Sequence, residues 1–337
     1  MATLGPLAAY LQTPRTDTGR LQVSVLQELA AGALAAGASS IAVLGSVGGA
    51  AYLPVSMRKR VIAAVAEVVD GTVPLIAGVG AITTAEVEVN ITTARDAGAT
   101  VALLAPHSYE PLTGPEVLGL YREVAARHVL PVVAYHNPRT TRHRFSVAQL
   151  GELARMPGVV GFKDVAVAPH LIEPRLAATQ QGLTHKQIKA LDWGFSGEGY
   201  GAQILMSGAD TWHSALAGIL PGPCAQMAHL AVQSTRPRAL GQAERLSAAL
   251  TPIAVIAKNY GSIRVTHAIA QQLGIKIGSL PSPLRPLEGE VMGLLAAALG
   301  AIDTQVMPVP SSRRASRTGE MGEQSQSYRP RRAAQSH

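Results

Sequence analysis

The chain has 337 residues, 47% of them apolar but only 4% aromatic, and a formal charge of +7. That length holds one large α/β barrel or two average domains, and a core drawn from Ala, Val, Leu and Ile suits α/β layering. One cysteine, Cys224, excludes an internal disulfide and a cysteine-based zinc cluster, and no apolar run reaches the ~18 residues of a membrane span.

In chain order, short apolar runs alternate with stretches of helical periodicity, which is the signature of βα units. PLAAYLQTP opens the series without a basic segment leading into a long apolar one, so a secretory leader is not expected. A helix-like 21–37 leads to SSIAVLG (39–45), and a helix-like 54–69, basic at its start, leads to VPLIAGVG (73–80). Then come ATVALLAP (99–106), LPVVAYHNP (130–138), GVVGFKD (158–164), ALDWGFSG (190–197) and GADTWHS (208–214). Thr83 with Glu86, Thr113 with Glu116 and Ser146 with Gln149 have capping-box spacing, and Val117, Leu120, Tyr121 and Val124 form an apolar stripe.

Eight such repeats predict an α/β fold, a (β/α)₈ TIM barrel over residues 1–221. Beyond it the pattern is helical only, near 223–234, 237–250, 252–273 and 287–302, which reads as a C-terminal helical extension (222–303) of the same domain. Residues 304–337 carry six arginines against two glutamates and few aliphatic side chains, the composition of a disordered basic tail. A solvated extension is expected there rather than a nucleic-acid or membrane contact.

In such a barrel the chemistry lies at the C-terminal ends of the strands. Lysine is scarce in this chain, yet Lys163 ends the sixth apolar run; Tyr135 ends the fifth, and Ser46 opens the GSVGG loop after the second. A lysine among apolar neighbours is pushed toward its neutral form, an amine able to attack a carbonyl and form a Schiff base, and a tyrosine hydroxyl can move the protons. The competing structural readings are a lysine that snorkels to solvent or pairs with Asp164. His213, at the end of the eighth run, either lines the pocket or is a hydrogen-bonded structural histidine, and His136 beside Tyr135 is open to the same choice. Neither GSVGGA nor IAGVGA is a complete dinucleotide-binding fingerprint, and the histidines show no paired metal-ligand spacing.

GSVGGAAYL, VPLIAGVGAITTAE, APHSYEPLT, VVAYHNPRTT and GVVGFKD, in this order, resemble the dihydrodipicolinate synthase / N-acetylneuraminate lyase family of Schiff-base aldolases, over roughly residues 6 to 300. The resemblance implies that Lys163 is the Schiff-base lysine, Tyr135 the proton relay, and Ser46 the first hydroxyl of a loop that holds a 2-oxo acid carboxylate. It places Val47 and Gly48 in that loop and makes Gly197 a site glycine. Val47 stands where the family has a second threonine, Gly49 where it has a glutamate, and Thr140 where its synthases have a carboxylate-gripping arginine, which Arg139 or Arg142 would have to replace. Tyr109 is displaced by one from a tyrosine that enters the neighbouring subunit's site. The expectation is a cytoplasmic homo-oligomeric lyase, a tetramer or dimer, acting on pyruvate or a 2-keto sugar acid, with neither metal nor organic cofactor. Dihydrodipicolinate synthesis itself is not expected, and the rival from another class is a non-catalytic barrel of the same family.

Overall fold

Eight strands, Leu7–Tyr10 (β1), Ser40–Val43 (β2), Leu75–Gly78 (β3), Val101–Leu104 (β4), Val132–Tyr135 (β5), Val159–Val165 (β6), Asp192–Ser196 (β7) and Thr211–Ser214 (β8), pair in parallel in chain order. β8 also pairs with β1, which closes the predicted barrel. The computed structural model of the chain describes residues 3–302 apart from residue 167; the basic segment 304–337 lies outside them.

The helices are Val23–Ala36 (α1), Val55–Val69 (α2), Thr84–Asp96 (α3), Gly114–Ala126 (α4), Pro138–Thr141 (α5), Val147–Ala154 (α6), Ile172–Gln180 (α7), His185–Ala190 (α8), Gly201–Met206 (α9), Pro221–Ala231 (α10), Pro237–Tyr260 (α11), Ser262–Gln272 (α12) and Glu290–Gly300 (α13). α3 and α6 start as the capping spacing predicts, with Thr83 and Ser146 accepting from the N–H groups of Glu86 and Gln149. At α4 the Thr113 N–H and hydroxyl both bond the Glu116 carboxylate.

Strand residues alternate between two apolar bodies, as the period-two geometry requires. Leu7 and Ala9 of β1 face the helices, whereas Ala8 and Tyr10 turn into the barrel, where Ala42, Ile76, Leu103, Val133 and Tyr135 join them. The buried stripe of α4, Val117, Leu120, Tyr121 and Val124, covers the outer side.

The C-terminal helices depart from expectation at one point. The sequence pattern ends one helix at residue 250 and starts another at 252, but α11 runs through Pro252 and stops at Gly261, where φ is 89°. Proline removes only its own N–H bond to the carbonyl four residues back, here on exposed Ala248, so water can satisfy that carbonyl. Packing of α11 against α9, α10, α12 and α13 holds the two halves in line.

Asp192, the first residue of β7, ties the ends of the barrel together: its Oδ2 accepts from the Leu4 N–H at 3.2 Å and the Thr211 hydroxyl at 2.9 Å. Burial pushes this carboxyl up to about 7, assisted by Asp210 and opposed by the Thr211 and Leu4 bonds. A folded-state pKa above the unfolded value favours the native state only while the group is protonated, so stability is lost as pH rises from about 4 to about 7. Replacing Asp192 by Asn removes that dependence. The stability of Asp192→Asn relative to the parent, read from urea unfolding, should rise by roughly 2 to 3 kcal/mol between pH 5 and pH 8. An unchanged difference between the two pH values would mean that Asp192 is ionised in the folded protein without penalty.

Candidate active site

Lys163 is the fifth residue of β6, two short of its end, and lies beside Tyr135 of β5 and Gly194 of β7. The register shifts near the start of β6: Val132 faces Val159 but Val133 faces Gly161, leaving Val160 as an extra residue. Such a bulge re-aims the residues that follow it. Lys163 thereby turns inward next to Tyr135, while Phe162 joins the outer body and Asp164 bonds residues on the outer side.

Lys163 is 6% exposed. Its Nζ lies 3.4 Å from the centroid of the Tyr10 ring and 4.4 Å from that of Tyr135. Burial pushes the amine down to about 7, with the Glu198 charge opposing the shift. Glu198, just beyond β7, is itself held by the Ala215 N–H at 2.5 Å and the Ser214 hydroxyl at 2.6 Å. Desolvation raises its carboxyl, and these bonds pull it back.

Tyr135 Oη accepts from Asn137 Nδ2 at 2.9 Å and shares a hydrogen with Ser46 Oγ at 3.2 Å. Burial raises the phenol above its ordinary range, against the Ser46 and Asn137 bonds, so it holds its proton at neutral pH. Ser46 is exposed at the rim and therefore links the buried phenol to the mouth. Below the amine, Tyr10 Oη is 3.0 Å from His213 Nδ1, and His213 Nε2 is 3.3 Å from the Phe162 carbonyl. A carbonyl can only accept, so Nε2 carries the hydrogen and Nδ1 accepts from the Tyr10 hydroxyl. Burial and the Lys163 charge lower the His213 pKa well below its usual value and keep the ring neutral.

On the outer face of β6, Asp164 receives His136 Nδ1 and Arg175 Nε, both at 2.6 Å, and the N–H of Val165 at 2.7 Å. Burial would raise this carboxyl, but the His136 and Arg175 bonds and the Arg175 charge outweigh it and leave it lowered. The Phe145 N–H donates to His136 Nε2, which fixes the tautomer and makes this histidine structural. The two bland readings of Lys163 fail on this geometry: the amine is enclosed, and Asp164 has other partners on the opposite face.

Of the residues singled out from sequence, Lys163, Tyr135, Ser46 and His213 converge, and Val47 packs in the inner apolar body with Tyr10 and Tyr135. The Gly48 carbonyl accepts from Thr13, and a side chain at Gly197 would meet Ala166 and Tyr200. Thr140 is exposed and bonds the Asn137 carbonyl, and Tyr109 is 80% exposed on the rim. Arg139 donates to the Lys258 carbonyl and Arg142 to that of Tyr109, so neither guanidinium bonds a residue of the Lys163 cluster. Sequence reasoning missed Tyr10, Asn137 and Glu198. Asn137 and Glu198 lie just past strand ends, where the rule that found Tyr135 would have reached them; Tyr10 stands inside an apolar run that continues through Leu11, so it carries no such signal.

A model of the dihydrodipicolinate synthetase family matches residues 3–302. The chain is 30% identical over 229 residues to a 4-hydroxy-tetrahydrodipicolinate synthase of Stenotrophomonas maltophilia, covering 68% of this chain and 74% of that one. It is 29% identical over 304 residues to the enzyme of the same name from Gluconacetobacter diazotrophicus, covering 88% and 96%. The crystal structure of a dihydrodipicolinate synthase from Agrobacterium tumefaciens superposes with a TM-score of 0.82 at 34% identity, over 88% of this chain and 98% of that one.

An amine at about 7 is neutral in roughly half the molecules at pH 7, when an ordinary lysine is almost wholly protonated. Brief treatment of the folded protein with cyanate at pH 7 should therefore carbamoylate Lys163 before any other lysine, with a rate midpoint near pH 7 by peptide mapping. Labelling that climbs only above pH 9 would show a hydrated, ordinary amine.

Proposed function

The chain belongs to the dihydrodipicolinate synthetase family, and from that premise we propose that it is a carbon–carbon lyase of the class I aldolase type. Its substrate is a 2-oxo acid, pyruvate or a 2-keto sugar acid, held on Lys163 as an imine. The observation that carries this reading is a desolvated amine, lowered to about 7, beside a phenol that burial keeps protonated. A barrel that only bound ligands would have no use for that pairing.

The neutral amine attacks the C2 carbonyl carbon, and a proton passes from the attacking nitrogen to the oxygen, relayed by the Tyr135 hydroxyl, to give a carbinolamine. Tyr135 then protonates the departing hydroxyl, water leaves, and the C2=N iminium remains. The iminium draws electrons from C3, so either a proton leaves C3 or the C3–C4 bond of a longer chain breaks and releases an aldehyde. The resulting enamine adds to an aldehyde in the reverse direction. Tyr135 is recharged through Ser46, whose exposed hydroxyl reaches the mouth. The main-chain N–H groups of Val47 and Gly48 are the donors for the substrate carboxylate.

The departures from the synthases narrow the partner. Thr140 is no guanidinium, and Arg139 and Arg142 are engaged by carbonyls. An aldehyde partner with its own carboxylate at that place would find no cation, so the acceptor is a neutral aldehyde. We further infer a homo-oligomer, a dimer or tetramer, in which exposed Tyr109 and Ile82 on neighbouring βα loops are covered by a second copy. Among the described residues no helix is long and apolar enough to cross a membrane, and buried Cys224 suits a reducing cytoplasm.

Borohydride reduction with pyruvate or 2-keto sugar acids should leave a covalent adduct on Lys163. Lys163→Ala should form none and lose turnover, while Tyr135→Phe should retain the fold and slow turnover about 10² to 10⁴-fold. A folded protein that forms no adduct with any 2-oxo acid would overturn the mechanism.

A further inference from the structure

Tyr135 accounts for one of the two rings against the Lys163 amine, whereas Tyr10 takes no part in the proton movements above. Its ring is nonetheless the nearer, 3.4 Å from Nζ against 4.4 Å. Its hydroxyl bonds His213, which in turn bonds the carbonyl of Phe162, the residue just before Lys163. The clamp is thus anchored on the lysine's own strand. Both rings occupy room that glycine leaves open: a Cβ on Gly45 would meet the Tyr10 ring at 2.8 Å, and one on Gly194 would meet His213 at 2.2 Å. The face of an aromatic ring is negative and attracts a cation most strongly where water is excluded.

We propose that Tyr10, fixed by His213, is the cation seat of the site: a positioning residue whose ring face holds the Lys163 ammonium before condensation and the iminium nitrogen after it. This inference rests on the Schiff-base reading. The groups facing the amine are Tyr10 from β1, Tyr135 from β5, His213 from β8 and Glu198 beyond β7. Glu198 is the lone carboxylate among them, and the hydroxyl of Ser214 and the N–H groups of Ala215 and Leu216 already engage it. The Tyr10 ring therefore supplies attraction for the nitrogen's charge that adds no second anion to a dry site. Loss of the ring favours the neutral amine and weakens the iminium, so condensation starts at lower pH but yields less adduct. A merely structural residue would not produce that pair of changes.

The test uses the full chain with pyruvate and cyanoborohydride from pH 5 to 9, which delivers hydride to the iminium carbon and leaves a secondary amine on Lys163. The alkylated fraction is read by mass spectrometry, with variants run side by side at each pH. Tyr10→Phe keeps the ring and should hold the midpoint within about 0.3 pH unit of the parent. Tyr10→Leu should lower the midpoint by roughly one unit and reduce the plateau. Progressively fluorinated phenylalanines at position 10 keep the shape, and the midpoint should fall with each fluorine; this series decides the matter if the leucine variant does not fold. A parent that traps pyruvate alongside an unshifted Tyr10→Leu variant or a flat fluorine series overturns the cation seat and leaves the Schiff-base reading standing. A parent that traps nothing overturns both.

Discussion

The exclusion of water from one amine is the constraint around which this barrel mouth is organised. A lysine in solution gains hydration that no protein interior repays in full, and enclosing Lys163 moves its titration to about 7. Everything near the nitrogen can be understood by how it treats the resulting charge. Glu198 lies close enough to favour the ammonium, yet its own hydrogen bonds hold it on the β8 side. Two aromatic faces supply attraction without further anions, and His213 stays neutral beside them.

Strand β6 serves two environments at once because its side chains alternate. Lys163 faces the dry interior, while Asp164, one residue on, faces the helices and is fixed by Arg175 and His136. Removing either partner of a buried ion pair leaves a charge uncompensated and costs several kcal/mol, so this network resists displacement. It pins β6 to α7 through Arg175 and to the end of β5 through His136, next to Tyr135. The amine and the phenol thus owe their spacing partly to a cluster on the opposite face of β6.

Much of the architecture was legible because each strand is an apolar run bounded by turn residues, and eight runs in helical alternation leave few folds open. Lys163, Tyr135 and Ser46 were legible for a related reason: each stands where such a run turns polar. Tyr10 was not, since within LAAYLQ it reads as one more core side chain. Its role depends on closure of β8 onto β1, which brings it to a histidine 203 positions away. Whether Arg139 or Arg142 replaces the guanidinium that Thr140 lacks could not be read from local spacing; both turn to main-chain carbonyls. Pro252 reads as a helix break, yet tertiary packing around α11 outweighs one missing hydrogen bond.

The glycines at 45 and 194 bear on how such a site changes over generations. Because the rings of Tyr10 and His213 stand in their places, a larger residue at either glycine first evicts an aromatic, and a smaller residue at Tyr10 or His213 first opens a void. Four positions, on three strands and the loop after β2, are therefore interlocked. Their substitutions are epistatic, and a lineage moving toward or away from this arrangement must cross an intermediate with a crowded or hollow barrel.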